Sequence, residues 1–193
     1  PNTPKIFRTT NGGVNWESIP VSGISKEIYC IWAINDLIAF VGEGEVNGGA
    51  RLLKTTNGGV NWTTVLTTSG NGGYFNGLGF TKGIGNLFGL AIAERIYRSS
   101  DAGATWNELN PGVNGVSNAQ NSLMIIDNEF YGFGLNNGAA RVRLTTNNSG
   151  TWATQQISVS GNYTSAIAFH SNKLYGLAAT STSLPMLSRT TDG

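Results

Sequence analysis

The side chains in this sequence that have the chemistry for catalysis are few: scattered carboxylates, one thiol, one imidazole and a recurring basic residue. Hydrolysis of a glycosidic bond needs two carboxylates converging on one oxygen. Asp36 and Asp127 stand at similar places, each just after an apolar run. A nucleophilic thiol needs a base partner. Cys30 sits in the run Ile28-Tyr29-Cys30-Ile31-Trp32, and the single histidine, His170, is far along the chain. Cys30 therefore reads as a small buried hydrophobe, and His170 as a turn or surface residue. One cysteine forms no intrachain disulfide. No His/Cys/Asp/Glu cluster has metal-ligand spacing, and no glycine-rich loop joins a strand to a helix, so no metal or cofactor is expected. Asp36 and Asp127 fall in the pairs Asn35-Asp36 and Asp127-Asn128, with Ser171-Asn172 as a later counterpart. That column reads as a two-residue hairpin turn rather than as a catalytic pair.

The elements that would position these residues are set by a repeat. Arg8-Thr9-Thr10-Asn11-Gly12-Gly13-Val14-Asn15-Trp16 recurs as Lys54-Thr55-Thr56-Asn57-Gly58-Gly59-Val60-Asn61-Trp62. It recurs again as Arg98-Ser99-Ser100-Asp101-Ala102-Gly103-Ala104-Thr105-Trp106, and as Leu144-Thr145-Thr146-Asn147-Asn148-Ser149-Gly150-Thr151-Trp152. A fifth copy begins at Arg189-Thr190-Thr191-Asp192-Gly193. The tryptophans recur every 44 to 46 residues. A period near 45 with four short strands per unit is that of a propeller blade. In the second unit, strand A is expected over 28–34, B over 37–42, C over 51–56 and D over 60–66. The blade pieces are then 1–22 (strands C and D), 23–67, 68–110, 111–158 and 159–193 (strands A to C). Small residues recur in strand B at Ala39, Gly89, Gly132 and Gly176, as close packing between sheets would require. The fold class is all-β: a propeller of four-stranded antiparallel blades, about four present, expected to be part of a ring of six to eight.

Composition agrees. The 193 residues include 27 glycines, and Asn, Thr and Ser are abundant. Charged residues make up 12% and the net charge is +1. That balance argues against a nucleic-acid binder, which needs a basic excess, and against a polybasic lipid surface. A hydrophobic share of 39% supports a packed core. No apolar stretch is long enough for a membrane-spanning helix, so no membrane insertion is expected.

The shared core, Ser/Thr-x-Asp/Asn-x-Gly-x-x-Trp, resembles the Asp-box or bacterial neuraminidase repeat. That repeat marks blade hairpins in sialidase propellers, sortilin-type receptors, xyloglucan-active hydrolases and the photosystem II stability/assembly factor family. The resemblance covers nearly the whole chain and specifies a hairpin, not an activity. Asn11, Asn57, Asp101, Asn147 and Asp192 would cap the turn after Thr9, Thr55, Ser99, Thr145 and Thr190. Gly13, Gly59 and Gly103 would supply positive φ, and Trp16, Trp62, Trp106 and Trp152 would cover the hairpin. Ser149 replaces the glycine in the fourth copy, so that hairpin is expected to be reshaped, though not lost. A sialidase would also need an arginine triad and a Phe-Arg-Ile-Pro motif. Here Arg8, Lys54, Arg98 and Arg189 occupy one repeated position and spread around the ring, and Ile6-Phe7-Arg8-Thr9 runs straight into the box.

Blade topology puts the A–B turns and the boxes at one end of each sheet, and the D–A and B–C loops at the other. The spacing from the strand B small residue to the next box varies from 10 to 16 residues, so variation falls in the B–C loops. Binding is expected there. The candidates are Glu43, Glu45 and Arg51, then Asn136, Asn137 and Arg141, with Tyr74 and Phe75 opening the third strand A. The function expected is a non-catalytic binding, adhesion or scaffold module at a bacterial cell surface, more a binder than an enzyme. Its partner would be a protein or a glycan, and further blades or a partner chain would cover the open sheet edges. Resemblance to surface propellers adds type IX secretion as an expected export route. The alternative is a glycan-active or glycan-binding propeller whose catalytic acids lie outside these residues. An intracellular assembly chaperone would call for a positive patch that the charge balance does not support.

Overall fold

The computed structural model describes residues 4–44, 49–68, 73–81, 89–93, 95–109, 122–136, 139–158, 163–181 and 186–192. Every regular element among them is a β-strand. In chain order these are β1 (Ile6–Arg8), β2 (Glu17–Ile19), β3 (Glu27–Ala33), β4 (Ala39–Gly44), β5 (Arg51–Thr55) and β6 (Thr63–Thr67). Then come β7 (Gly77–Phe80), β8 (Gly89–Ile92), β9 (Ile96–Ser99), β10 (Asn107–Leu109), β11 (Leu123–Ile125) and β12 (Tyr131–Asn136). The last are β13 (Ala140–Thr145), β14 (Ala153–Ser158), β15 (Tyr163–Phe169), β16 (Gly176–Ser181) and β17 (Leu187–Thr190). All pairings are antiparallel between neighbours in sequence. They form a β1-β2 hairpin, four-stranded sheets β3 to β6, β7 to β10 and β11 to β14, and the three-stranded sheet β15 to β17.

The chain divides into two compact units, Pro1–Phe75 and Asn76–Gly193. In the first, Ile6 of the hairpin packs with Ile24, Val41, Leu53 and Trp62. In the second, Leu90 and Ile96 pack against Tyr131, Phe133 and Leu135 of the next sheet. Met124, Val142 and Leu144 pack with Ile167 of the sheet after that. Within each unit the core therefore lies between consecutive sheets, which sit face to face. In β13 burial alternates, with Ala140, Val142 and Leu144 turned inward, whereas β4 and β7 are buried at nearly every position.

Three expectations differ in detail. The D strands start later than the apolar pattern suggests, because the box turn runs as far as the tryptophan and pairing resumes only beyond it. The first A–B reversal spans Ile34 to Ile38 rather than two residues: both Ile34 N and Asn35 N donate to Ile38 O. The small residue of strand B packs against the core shared with the preceding hairpin at Ala39, but at two other positions it makes room within its own sheet. Gly89 and Gly176 lie under the rings of Phe80 and Phe169, their own cross-strand partners in the same sheet. In the fourth repeat the matching position is Tyr131, not Gly132. Tyr131 pairs with the box residue Thr145 just as Ala39, Gly89 and Gly176 pair with Thr55, Ser99 and Thr190.

Candidate functional site

At the box end of the sheets the regularly spaced side chains bond to their own turn. In the second sheet the Thr55 hydroxyl donates to Asn57 Oδ1 at 3.0 Å and accepts the amides of Asn57 and Gly59 at 3.3 and 2.9 Å. Asn57 Oδ1 also accepts the Asn61 amide at 3.0 Å, and Trp62 Nε1 donates to Gly59 O at 3.1 Å. The hydroxyl thus works in both directions, a role that turn propensity alone did not reveal. The hydroxyl and side-chain oxygen bonds recur from Thr9 and Asn11 and from Ser99 and Asp101, and Thr190 donates to Asp192 Oδ1 at 2.8 Å.

The fourth hairpin keeps this geometry instead of being reshaped. Ser149 N donates to Thr145 Oγ1 at 3.1 Å, and Asn147 Oδ1 accepts the Thr151 amide at 2.8 Å. Asn148 and Ser149 take φ of 56° and 70°, where the second copy has Gly58 and Gly59 at 68° and 91°. The Tyr131 hydroxyl is hydrogen-bonded to Ser149 Oγ. The large residue in strand B and the serine in the turn are therefore two halves of one contact.

The A–B turns lie beside the boxes, since Gly58 N donates to Leu37 O and Asn148 N to Glu129 O. Asn35 Oδ1 caps the first turn through the amides of Leu37 and Ile38. Asp127 Oδ1 caps the fourth-repeat turn through Glu129 and Phe130, and Asn172 Oδ1 caps the last through Leu174 and Tyr175. The equivalent of Asp127 is thus Asn35, an amide, while Asp36 is exposed beside it. Burial works to raise the Asp127 carboxyl, but Lys173 at 2.7 Å and the two turn amides outweigh it and hold it below the usual carboxylate range. His170 is exposed in the last turn, its Nδ1 accepting the Asn172 amide. Burial pushes the Cys30 thiol up to about 12, an unreactive state.

The basic column also serves the scaffold. Arg8 Nη1 donates to Gly58 O in the next box at 2.7 Å while its Nη2 pairs with Glu17 at 2.6 Å. Arg98 Nη1 reaches Asn148 Oδ1, the equivalent turn position one repeat on, at 2.6 Å. Equal spacing alone does not show that one repeat grips the next.

Asp101 offers a direct test of the box. Burial works to raise its carboxyl. The Thr105 hydroxyl and amide, the Ser99 hydroxyl and the Ala104 amide prevail and bring it down to about 2. A folded-state value below the unfolded one contributes stability that is fully present above pH of about 4 and is lost as pH falls through about 2. Asp101→Asn keeps the accepting oxygen, as Asn57 and Asn147 do. Its melting temperature is expected to fall less than that of the native chain between about pH 6 and about pH 2. Equal falls would show that the carboxylate is not held by these bonds.

The opposite end of the first unit gathers several of the expected binding residues. Strand β4 extends to Gly44, so Glu43 is a strand residue and not part of a loop. Its side chain is fully buried and ion-paired with Arg51 on β5. Glu43 Oε2 accepts the amides of Ser25 and Lys26 at 3.1 and 3.3 Å, and Arg51 Nη2 donates to Gly23 O and Ser25 Oγ at 3.2 and 3.0 Å. Both charges are thus spent on anchoring the segment that enters β3. Phe75 is fully buried. Tyr74 forms a bridge with Gly44, where a Cβ would collide with Gly73 O and Tyr74 Cα, so only glycine lets the chain lie this close. Strand β3 has a register shift between Ile28 and Cys30, which sets Tyr29 out of the ladder. The Tyr29 ring stacks on Tyr74, with centroids 4.4 Å apart and planes 18° apart, and its hydroxyl donates to Glu27 Oε2 at 2.8 Å. The hydrogen bond to Glu27, then burial, raises the Tyr29 phenol above its ordinary value. Tyr29 and Glu27 were missed from sequence, because an apolar-looking strand A hides a bulge. In the second unit Asn136 ends β12, and Arg141 lies in β13 with its carbonyl accepting from Thr164 Oγ1. Glu45 and Asn137 lie outside the described residues. Among the described residues no three His, Cys, Asp or Glu side chains could share a metal ion, and no helix is long and apolar enough to cross a membrane.

No protein-family profile matches the chain, and no curated protein matches it. Solved structures do. A Niastella koreensis GH74 enzyme aligns over 98% of this chain and 33% of its own, with a TM-score of 0.71 and 20% identity. YCF48 from Cyanidioschyzon merolae aligns over 98% of this chain and 64% of its own, with a TM-score of 0.64 and 16% identity. YCF48 bound to a D1 peptide aligns over 80% and 48%, with a TM-score of 0.53 and 18% identity. The chain thus spans one third to under two thirds of these structures. At such identities the likeness concerns the fold: the chain is an all-β propeller of antiparallel sheets.

Proposed function

We propose that this chain is a non-catalytic binding or adhesion module, built from Asp-box propeller blades and working at a bacterial cell surface. The observation that carries this reading is the division of labour between the sheet ends. The box carboxylate Asp101 and the A–B turn carboxylate Asp127 are bound to backbone amides, whereas the far end of the first unit presents a stacked tyrosine pair beside an exposed carboxylate. Low charge and abundant Asn, Thr and Gly support an extracellular setting, and export by type IX secretion belongs to the same proposal. The partner is a protein or a glycan. A YCF48 structure bound to a peptide supports the first, and the GH74 likenesses support the second.

Further blades, completing a ring of six to eight, or a partner chain would cover the first box. Trp62 is 6% exposed against the preceding hairpin, while Trp16, with the same indole bond to its own turn, is 62% exposed. The second reading is a glycan-active propeller whose catalytic acids lie outside these residues, favoured by the GH74 likeness.

Turnover of sialosides and β-glucans separates the two readings. The module reading expects none. Hydrolysis abolished by Asp36→Asn or Asp127→Asn would refute it and with it the turn role of that column.

A further inference from the structure

We infer that Tyr29, Tyr74 and Glu27 form a binding site for a pyranose ring of a neutral oligosaccharide. The inference rests on the binding-module reading and names its ligand class. The site is constructed rather than incidental. A bulge takes Tyr29 out of the β3 ladder, the bare Gly44 lets the Tyr74 backbone lie against the end of β4, and the two rings then stack in parallel. Both rings are half-buried, so each is held in place and keeps accessible surface. An aromatic face attracts the C–H face of a sugar, and a carboxylate at the ring edge accepts its hydroxyls. Glu27 takes one bond from Tyr29 at 2.8 Å and is itself exposed.

Charge argues against an anionic ligand, because Glu27 puts an exposed carboxylate at the site. The neighbouring Glu43 and Arg51 neutralise each other, and the Lys26 ammonium donates to Gly49 O at 3.0 Å. The site also lies at the sheet end away from the boxes, where β3 begins and β4 finishes.

The test is a titration of the native chain with neutral oligosaccharides of glucose, galactose and N-acetylglucosamine. It is run beside Tyr29→Ala, Tyr74→Ala and Tyr29→Phe, each checked for an unchanged far-ultraviolet spectrum and melting temperature. At least one saccharide is expected to bind. Either alanine variant should weaken it about tenfold, and Tyr29→Phe, which keeps the ring, only two- to threefold. If an alanine variant unfolds, Glu27→Gln serves in its place and should weaken binding without changing stability. No binding by any saccharide, or equal binding by native and variant chains, overturns the inference. Binding of peptides alone also overturns it and leaves the module reading standing. Hydrolysis of the saccharide by the native chain refutes the module reading itself.

Discussion

Arg51→Met is expected to destabilise the chain by about 3 kcal/mol, read as a lower denaturant midpoint with an unchanged slope. The methionine retains the apolar stem but leaves the fully buried Glu43 carboxylate without its cation. Removing one partner of a buried pair costs more than the pair contributes, because the remaining charge stays out of water. The Gly23 carbonyl and Ser25 hydroxyl lose a donor at the same time. Adding Glu43→Gln should recover most of the loss, since a glutamine oxygen still accepts the Ser25 and Lys26 amides. A loss below about 1 kcal/mol for the single variant would place the pair with ordinary surface ion pairs, and its role as the anchor of the entry to β3 would fail.

Trp62→Ala should cost about 3–5 kcal/mol, and Trp16→Ala less than about 1 kcal/mol. Locally the two are alike: each indole donates to the carbonyl of a left-handed glycine in its own turn, at 3.1 Å from Trp62 and 3.2 Å from Trp16. They differ in what covers them. Trp62 is packed among Ile6, Ile24, Val41 and Leu53, with Ile19 against it. Its truncation would open a cavity between the hairpin and the next sheet, whereas Trp16 has little around it to lose. Thermal or chemical unfolding of the two variants reads the difference. Equal losses would mean that the indole stabilises its own hairpin and not the packing of one repeat on the next.

Periodicity made the blade hairpins legible. The recurring hydroxyl, amide or carboxylate, glycine and tryptophan name a local structure whose bonds all fall within eight residues, so each copy carries its own instructions. The departures were legible only in pairs. Ser149 looks like a broken box until Tyr131, eighteen residues earlier, is seen bonded to it, and the shifted Tyr131 register explains both. Setting Asp36 beside Asp127 was likewise off by one, because a turn cap is defined by the amides it reaches and not by its place between two apolar runs.

From residue order follow the strand sequence, the antiparallel sheets and the nature of every box turn, because those depend on neighbours a few positions apart. Tertiary packing alone chose which charges and rings remain for a ligand. Glu43 and Arg51 read as loop residues open to a partner, yet their distance from water is set by a segment 18 residues upstream of the first and 26 upstream of the second. Tyr29 read as one more apolar strand residue, yet a single unpaired position turned it onto Tyr74, forty-five residues on. Local bonding energy is written in short motifs. Exposure is a property of everything packed around a side chain, and no short stretch of the chain encodes it.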